Sequence, residues 1–273
     1  MLPKFSFLLK PTLWIFALLV ITTALPAHAQ EYELYDYVET EDGSGYTIYP
    51  KSDVTYEGEL IVPAVRESDG RPVVGVDGFS HNERLLAIRF EEGSQVKYIG
   101  SFQGCTGIGL CDLPETVETI ADRAFQGCTM LSGLTLNKGL KYIGISCFEG
   151  CTSLESIKLP ASLKVLRENA FRVCTALQTV EFEDGVDFYT GYSYGFYNNV
   201  FDGCESLHTV KLPKNTPGDF IIPMATFSWC SSLKSIEFPA NTYRIDQLAF
   251  YRTGIENLDL TTITSNEILV EGY

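Results

Sequence analysis

A phenylalanine that returns at a nearly constant interval constrains the fold of this chain more than any other feature. The steps between successive members are 23, 23, 23, 23, 30, 26 and 23 residues. Six of the eight are followed three residues later by cysteine, and seven are followed six residues later by leucine or isoleucine. The phenylalanines are Phe79, Phe102, Phe125, Phe148, Phe171, Phe201, Phe227 and Phe250. Because a propeller blade needs about 40 residues, this period predicts a solenoid with one coil per repeat.

Each repeat contains signals for two short strands. The segment after the cysteine reads L-x-x-I-x-L, as in Leu154 to Leu159, and the alternation in its second half predicts a strand with one buried face. A brief apolar pair, such as Leu140 and Ile143, predicts a second strand. The Ala-Phe segment that follows predicts a helical or 3₁₀ turn. The repeat therefore predicts an α/β solenoid with short parallel strands on one face and helical or 3₁₀ turns opposite.

Six cysteines occupy one repeat position, where they could be packed free thiols, disulfides or metal ligands, and each of these implies a different function. Stacked coils place equivalent residues about 4.8 Å apart. Parallel side chains keep the Cβ atoms near this separation, beyond the ~3.5–4.5 Å of a disulfide. We therefore favour a column of packed free thiols, with scattered disulfides and a metal site as the alternatives. Only His81 and His208 follow the leader, in different repeats, and zinc needs four convergent ligands. We expect neither metal nor cofactor.

The full repeat resembles a known family. Its pattern is V-x-x-I-x-x-x-A-F-x-x-C-x-x-L-x-x-I-x-L-P, which begins at Val117 and passes through Phe125 and Cys128. It resembles the BspA-like, or TpLRR-type, leucine-rich repeat from Val73 to about Leu260. The resemblance implies a right-handed leucine-rich-repeat coil in an exported bacterial protein without a catalytic motif. Some members of the family bind host proteins such as fibronectin, or partner bacterial cells.

The ends of the chain carry different signals. Two lysines, an apolar stretch and Ala27-His28-Ala29 predict a cleaved signal peptide at residues 1–29. We expect no transmembrane segment in the mature chain and a location outside the cell, at its surface or in the periplasm. Residues 30–72 are interpreted as an N-terminal cap with antiparallel strands or a degenerate first coil. Eight repeats fill residues 73–260, and residues 261–273 form a C-terminal cap.

The net charge of the mature chain limits the classes of molecule that it is expected to bind. Removing the leader takes away two of the 20 basic residues and no acidic ones, which leaves a net charge of −17. Nucleic acid and anionic lipid both require basic patches, so neither is expected as a partner. A soluble monomer is expected instead.

Two features are candidate binding surfaces. The first is an aromatic insert at about residues 186–197, since insertions in repeats often bind and tyrosines suit contact surfaces; the alternative is that its rings cover the core. Its candidates are Tyr189, Tyr192, Tyr194, Phe196 and Tyr197. The second is a strip of outward strand residues that alternate in sign, which either recognises a partner or only stabilises stacking. Its candidates are Lys158, Glu181, Lys211 and Glu237. A second insertion, at residues 213–223, is interpreted as a longer turn.

A catalytic reading has weak support. Gly191 to Gly195 reads G-x-S-x-G around Ser193, and Asp202 and His208 follow, but a nucleophile elbow needs a preceding strand and a following helix. We therefore predict a non-catalytic binding or adhesion protein that recognises a protein or glycan, in host matrix or on another bacterial cell. A structural or assembly component of the cell envelope is the alternative, and a hydrolase using Ser193 is a remote one.

Overall fold

The computed structural model describes residues 34–188 and 195–264, together with the backbone of residues 269–270. The predicted signal peptide, Ser193 and three tyrosines of the insert (Tyr189, Tyr192 and Tyr194) lie outside the described residues. The strands are β1 (Tyr35–Glu39), β2 (Tyr46–Pro50), β3 (Gly58–Val62), β4 (Val73–Val76), β5 (Leu85–Phe90), β6 (Tyr98–Ile99), β7 (Leu110–Asp112), β8 (Thr119–Ile120), β9 (Gly133–Thr135), β10 (Tyr142–Ile143), β11 (Ser156–Leu159), β12 (Val165–Leu166), β13 (Thr179–Phe182), β14 (Thr209–Lys211), β15 (Phe220–Ile222), β16 (Thr242–Ile245) and β17 (Leu269–Val270).

The strands form two ladders, parallel except for the antiparallel pair β1–β2, and successive coils contribute to each in turn. The long-strand ladder, built from the L-x-x-I-x-L segments, runs β3-β5-β7-β9 and then β11-β13-β14. The short-strand ladder runs β1-β2-β4-β6-β8-β10-β12 and resumes as β15-β16-β17. Isolated bridges extend both ladders, at Lys211–Glu237 and Leu166–Phe196. This arrangement confirms the predicted solenoid.

Equivalent residues of successive coils form internal columns. The eight phenylalanine rings stack with neighbouring centroids 5.1–5.6 Å apart and planes within 2–13° of parallel. All eight cysteines are free and buried. In the repeated position, each thiol donates to the carbonyl oxygen of the phenylalanine one coil earlier, at 3.0–3.3 Å. The column of packed thiols is therefore confirmed. Each thiol finds its hydrogen-bond partner inside the core, and at five of the six positions it shares the phenylalanine carbonyl oxygen with a backbone amide.

The helical or 3₁₀ turns that the sequence predicted are wrong, because no described residue is helical. Arg123 and Gly127 have φ of 58° and 73°, a left-handed conformation that interrupts any right-handed helix. The amides of Arg123, Phe125 and Gly127 donate to the next coil instead of within their own turn. Their acceptors are the carbonyl oxygens of Ile145, Cys147 and Glu149, each at 2.8 Å. The described chain is thus a β-solenoid rather than an α/β one.

The first coil is a degenerate repeat that carries a hairpin. β1 pairs with β2 in antiparallel fashion, and β2 then pairs with β4 in parallel. Tyr56 takes the place of the repeated phenylalanine, with its ring centroid 5.3 Å from that of Phe79. Asn82 takes the place of the cysteine, and its Nδ2 donates to the Tyr56 carbonyl oxygen at 3.0 Å. Tyr56 and Asn82 therefore occupy the two repeat positions at this end, although the Tyr56 ring meets Phe79 edge to face, at 83°, instead of stacking on it.

Close approach of neighbouring coils requires glycine at residue 144. A Cβ atom there would lie 2.5 Å from the Ala121 carbonyl carbon, and closer still to the Asp122 backbone nitrogen. Because backbone atoms cannot rotate away, we expect Gly144→Ala to lower the free energy of unfolding by about 1–3 kcal/mol in urea denaturation. Gly109→Ala is the matched control, since its nearest neighbour would be the Met130 carbonyl oxygen at 3.7 Å. Equal stabilities of the two variants would contradict this reading of the coil contact.

Candidate functional site

The predicted charged strip lies on the outer face of the long-strand ladder. Lys158 is in register with Glu181, Glu181 with Lys211, and Lys211 with Glu237. The Lys211 Nζ donates to Glu181 Oε1 at 2.8 Å, and this bond raises the pKa of Lys211. The structure therefore brings the four predicted residues into one row.

One pairing within the strip differs from the simple register. Lys158 pairs with Glu183, two residues beyond Glu181, at 3.1 Å. Glu183 also accepts a hydrogen bond from the Ala161 backbone amide, and this bond, followed by the one from Lys158, lowers its pKa. Glu183 escaped the sequence analysis because it follows the strand instead of occupying the repeated outward position.

A cleft of about 840 Å³ opens at the C-terminal end of the strip. Lys211 and Glu237 lie on its border, while the buried Leu212 and Phe238 contribute its apolar floor. Val210, Gly218, Pro239 and Ala240 also line the cleft, and polar residues supply the rest of its surface. These are Lys214, Asn215, Thr216, Asp219, Asn241, Thr262 and Thr264. A concave site with an apolar floor and a few polar groups is the usual form of a ligand site.

The insertion at residues 213–223 forms one wall of this cleft. Asn241, which belongs to the next coil, holds the insertion in place. Its Nδ2 donates to the carbonyl oxygen of Thr216 at 3.2 Å and to the Oγ1 atom of Thr216 at 2.6 Å. The interpretation as merely a longer turn is therefore incomplete. The length of the insertion could not predict that it forms a cleft wall, because the wall depends on the Asn241 side chain of the following coil.

The aromatic insert divides between core and surface. Phe196 is buried, with its ring centroid 5.3 Å from that of Phe188 and 5.8 Å from that of Phe182. Tyr197 is half-buried under the Arg167 guanidinium, which lies 4.7 Å from the ring centroid. Phe196 thus packs in the core, and any binding by the insert falls to its tyrosines.

The residues of the remote hydrolase interpretation have other partners. Asp202 pairs with Arg172 at 3.1 Å, and the exposed His208 lies 2.9 Å from the Thr209 hydroxyl. Arg172 also pairs with Glu149 at 2.9 Å, in a polar row that continues through Gln126 to Gln103 on the turn face. Asp202 therefore serves coil stacking.

Comparison with known proteins settles the family. A model of the BspA type leucine rich repeat region matches residues 97–199 and 194–269, in six copies. The chain belongs to the BspA type leucine-rich repeat family. No curated protein shows significant similarity to this BspA-type chain. Leucine-rich repeat proteins are generally protein-binding or surface proteins.

Two solved structures place the BspA-type chain among bacterial repeat proteins. The leucine rich repeat protein of T. pallidum is 27% identical, with a TM-score of 0.61 over 73% of this chain and 88% of that one. A leucine-rich repeat protein of Eubacterium ventriosum is 18% identical, with a TM-score of 0.53 over 76% of this chain and 62% of that one. The described residues contain no helix long and apolar enough to cross a membrane.

Proposed function

We propose that this protein is an exported, non-catalytic surface protein that binds a protein or glycan partner through its long-strand face. The observation that carries the proposal is the charged strip that ends in the cleft of about 840 Å³. Family membership supports an exported or surface location. On this proposal, residues 1–29 direct export, and residues 30–72 and 261–273 cap the repeats.

The energetics of the strip favour recognition over stability. The pair Lys211–Glu181 is half-exposed, and exposed pairs contribute only about 0–1 kcal/mol. Within the described ranges, no opposite charge pairs with the side chains of Glu237 or Lys214. Charges that stabilise the fold so little remain available to a ligand.

Capture experiments test the strand face directly. Immobilised mature chain (residues 30–273) is incubated with host matrix proteins and with bacterial surface extracts. We expect Lys211→Ala combined with Glu237→Ala to lower retention of the captured partner at least tenfold, because the strip loses both signs of charge beside the cleft. Tyr192→Ala combined with Tyr194→Ala tests the insert while leaving the buried Phe196 in place.

Gln126→Ala, on the turn face, is the matched control and should capture the partner like the wild type. Undiminished capture by the strip variant would show that the strand face does not bind. Absence of any capture, with an oligomer that the strip variant loses in sedimentation, would favour the assembly role instead.

A further inference from the structure

The turn face changes character in the last two coils. Four exposed apolar residues gather there: Met224, Trp229, Leu248 and Tyr251, with exposed fractions of 38%, 49%, 42% and 37%. In earlier coils most of the same repeat positions are polar or glycine, although Val173 occupies the Trp229 position and Ile145 the Met224 position. Leu248 stands where other coils have Arg123, Asn169 and Asn199, and Trp229 stands where they have Gly104, Gly127, Gly150 and Gly203.

Trp229, Tyr251 and Arg252, from the last two coils, form one ordered cluster. The Arg252 guanidinium lies 4.6 Å from the centroid of the Trp229 ring and 5.4 Å from that of Tyr251. Its Nε donates to the Tyr251 hydroxyl at 3.1 Å. The two rings meet edge to face at 6.1 Å, and the Trp229 amide donates to the Tyr251 carbonyl oxygen at 2.8 Å. Both coils therefore hold the arginine and the indole in fixed relation.

The backbone under the cluster is strained. Trp229, Leu248 and Arg252 have φ of 59°, 59° and 56°. Bulky residues rarely adopt this left-handed conformation, for which glycine has no penalty. Since the Trp229 side chain is half-exposed, core packing does not compensate the strain. The repeat itself imposes this conformation, since Arg123, Asn169 and Val173 share it. What distinguishes Trp229 is a bulky exposed ring at a position where four coils have glycine.

The cluster also carries a positive charge that the described chain leaves uncompensated. Within residues 34–188 and 195–264, no carboxylate forms an ion pair with Arg252. Other basic residues of the described ranges, such as Lys97, Arg123 and Lys214, also form no ion pair, so what marks Arg252 is its position against two exposed rings. A guanidinium fixed between rings is oriented to receive a carboxylate from outside.

We propose that this C-terminal turn patch, formed by Met224, Trp229, Leu248, Tyr251 and Arg252, docks a protein segment that presents an acidic side chain beside an apolar one. Tryptophan, tyrosine and arginine dominate the binding energy of protein interfaces, and methionine is enriched in them. The flanking Met224 and Leu248 extend the apolar area beyond a single ring. This favours a peptide segment over a sugar ring. The patch lies apart from the strand face, so the inference holds whether or not the strip binds.

A random dodecapeptide display library on the mature chain tests the proposal. We expect enrichment of peptides with Asp or Glu within three residues of Leu, Phe or Trp. Trp229→Gly is expected to reduce their binding at least tenfold, yet to leave the melting temperature at or above that of the wild type, because glycine relieves the strain. Arg252→Gln should reduce binding of the acidic peptides by a similar factor.

Two controls separate this site from others. Val173 occupies the repeat position of Trp229 in an earlier coil, outside the patch, and has the same left-handed backbone with φ of 58°. Val173→Gly should therefore leave peptide binding unchanged. The strip variant with Lys211→Ala and Glu237→Ala should also bind the peptides normally.

Several outcomes would overturn the proposal. These are a library without Trp229-dependent binders, enrichment of peptides that lack acids, binding of uronic-acid oligosaccharides in place of peptides, and a wild-type dimer that Trp229→Gly dissociates.

Discussion

Replacing Phe148 by alanine is expected to lower the free energy of unfolding by about 3–5 kcal/mol, the usual cost of removing a buried aromatic ring. Phe148 is fully buried, and its ring stacks between Phe125 at 5.5 Å and Phe171 at 5.1 Å. The loss breaks two ring contacts and leaves a cavity between coils. Since the coils on either side are each hydrogen-bonded to the backbone of the coil that carries Phe148, they cannot collapse into the cavity. Urea denaturation of the variant beside the wild type measures the effect.

Phe250→Ala provides the matched control, because Phe250 belongs to the same column but is only partly buried. It stacks on one column neighbour, Phe227, at 5.6 Å. A clearly smaller loss is expected there. Equal losses at both positions would mean that column neighbours do not determine the stability of a coil. A reduced denaturant slope for Phe148→Ala would indicate that the coils on its two sides unfold separately.

Raising the pH above 9 is expected to unfold the protein steeply, in the presence of a reductant. Burial raises the pKa of Cys105 from 9.0 to about 11 and that of Cys128 to about 12. Burial raises the pKa of Cys151 and Cys204 well above 9.0 as well. The folded thiols therefore keep protons that the unfolded chain releases above pH 9. Stability that is complete below pH 9 is lost as the pH rises toward the folded pKa values.

The size of the alkaline effect follows from the number of thiols. Each such group lowers the free energy of unfolding by up to about 1.4 kcal/mol per pH unit. Eight buried thiols together approach about 11 kcal/mol per pH unit, which is comparable to the whole stability of a typical domain, about 5–15 kcal/mol. Circular dichroism between pH 7 and 11 should show cooperative unfolding within roughly one to two units above pH 9.

A variant with Cys128, Cys151 and Cys174 replaced by alanine isolates the cause. Its stability at pH 7 is lower, because three thiol–carbonyl hydrogen bonds are lost, but its decline with pH should be shallower by about three-eighths. An unchanged slope in this variant would assign the alkaline transition to other groups, such as tyrosine hydroxyls. Stability independent of pH up to 11 would contradict the burial of the thiols.

Repeat periodicity explains what was predictable about the core. Phe125 and Cys128 recur at the same place in the coil, so a single register positions every copy, and the stacked rings and the thiol–carbonyl bonds follow. The row of Lys158, Glu181, Lys211 and Glu237 was predictable for the same reason. The pairing of Lys158 with Glu183 was not, because long side chains reach across the strand end.

The amino-acid sequence by itself determined the coil, its period, its internal columns and the row of charges on its outer face, because one pattern present in eight copies has few ways to bury its apolar residues. Only the tertiary structure decided what depends on contacts between residues in different coils. The turns are not helical because their amides find acceptors one coil away, at Ile145 and Cys147. The cleft has one of its walls because Asn241 hydrogen-bonds Thr216 of the insertion, 25 residues earlier in the chain. The patch around Trp229 forms because Arg252, from the next coil, lies against its ring.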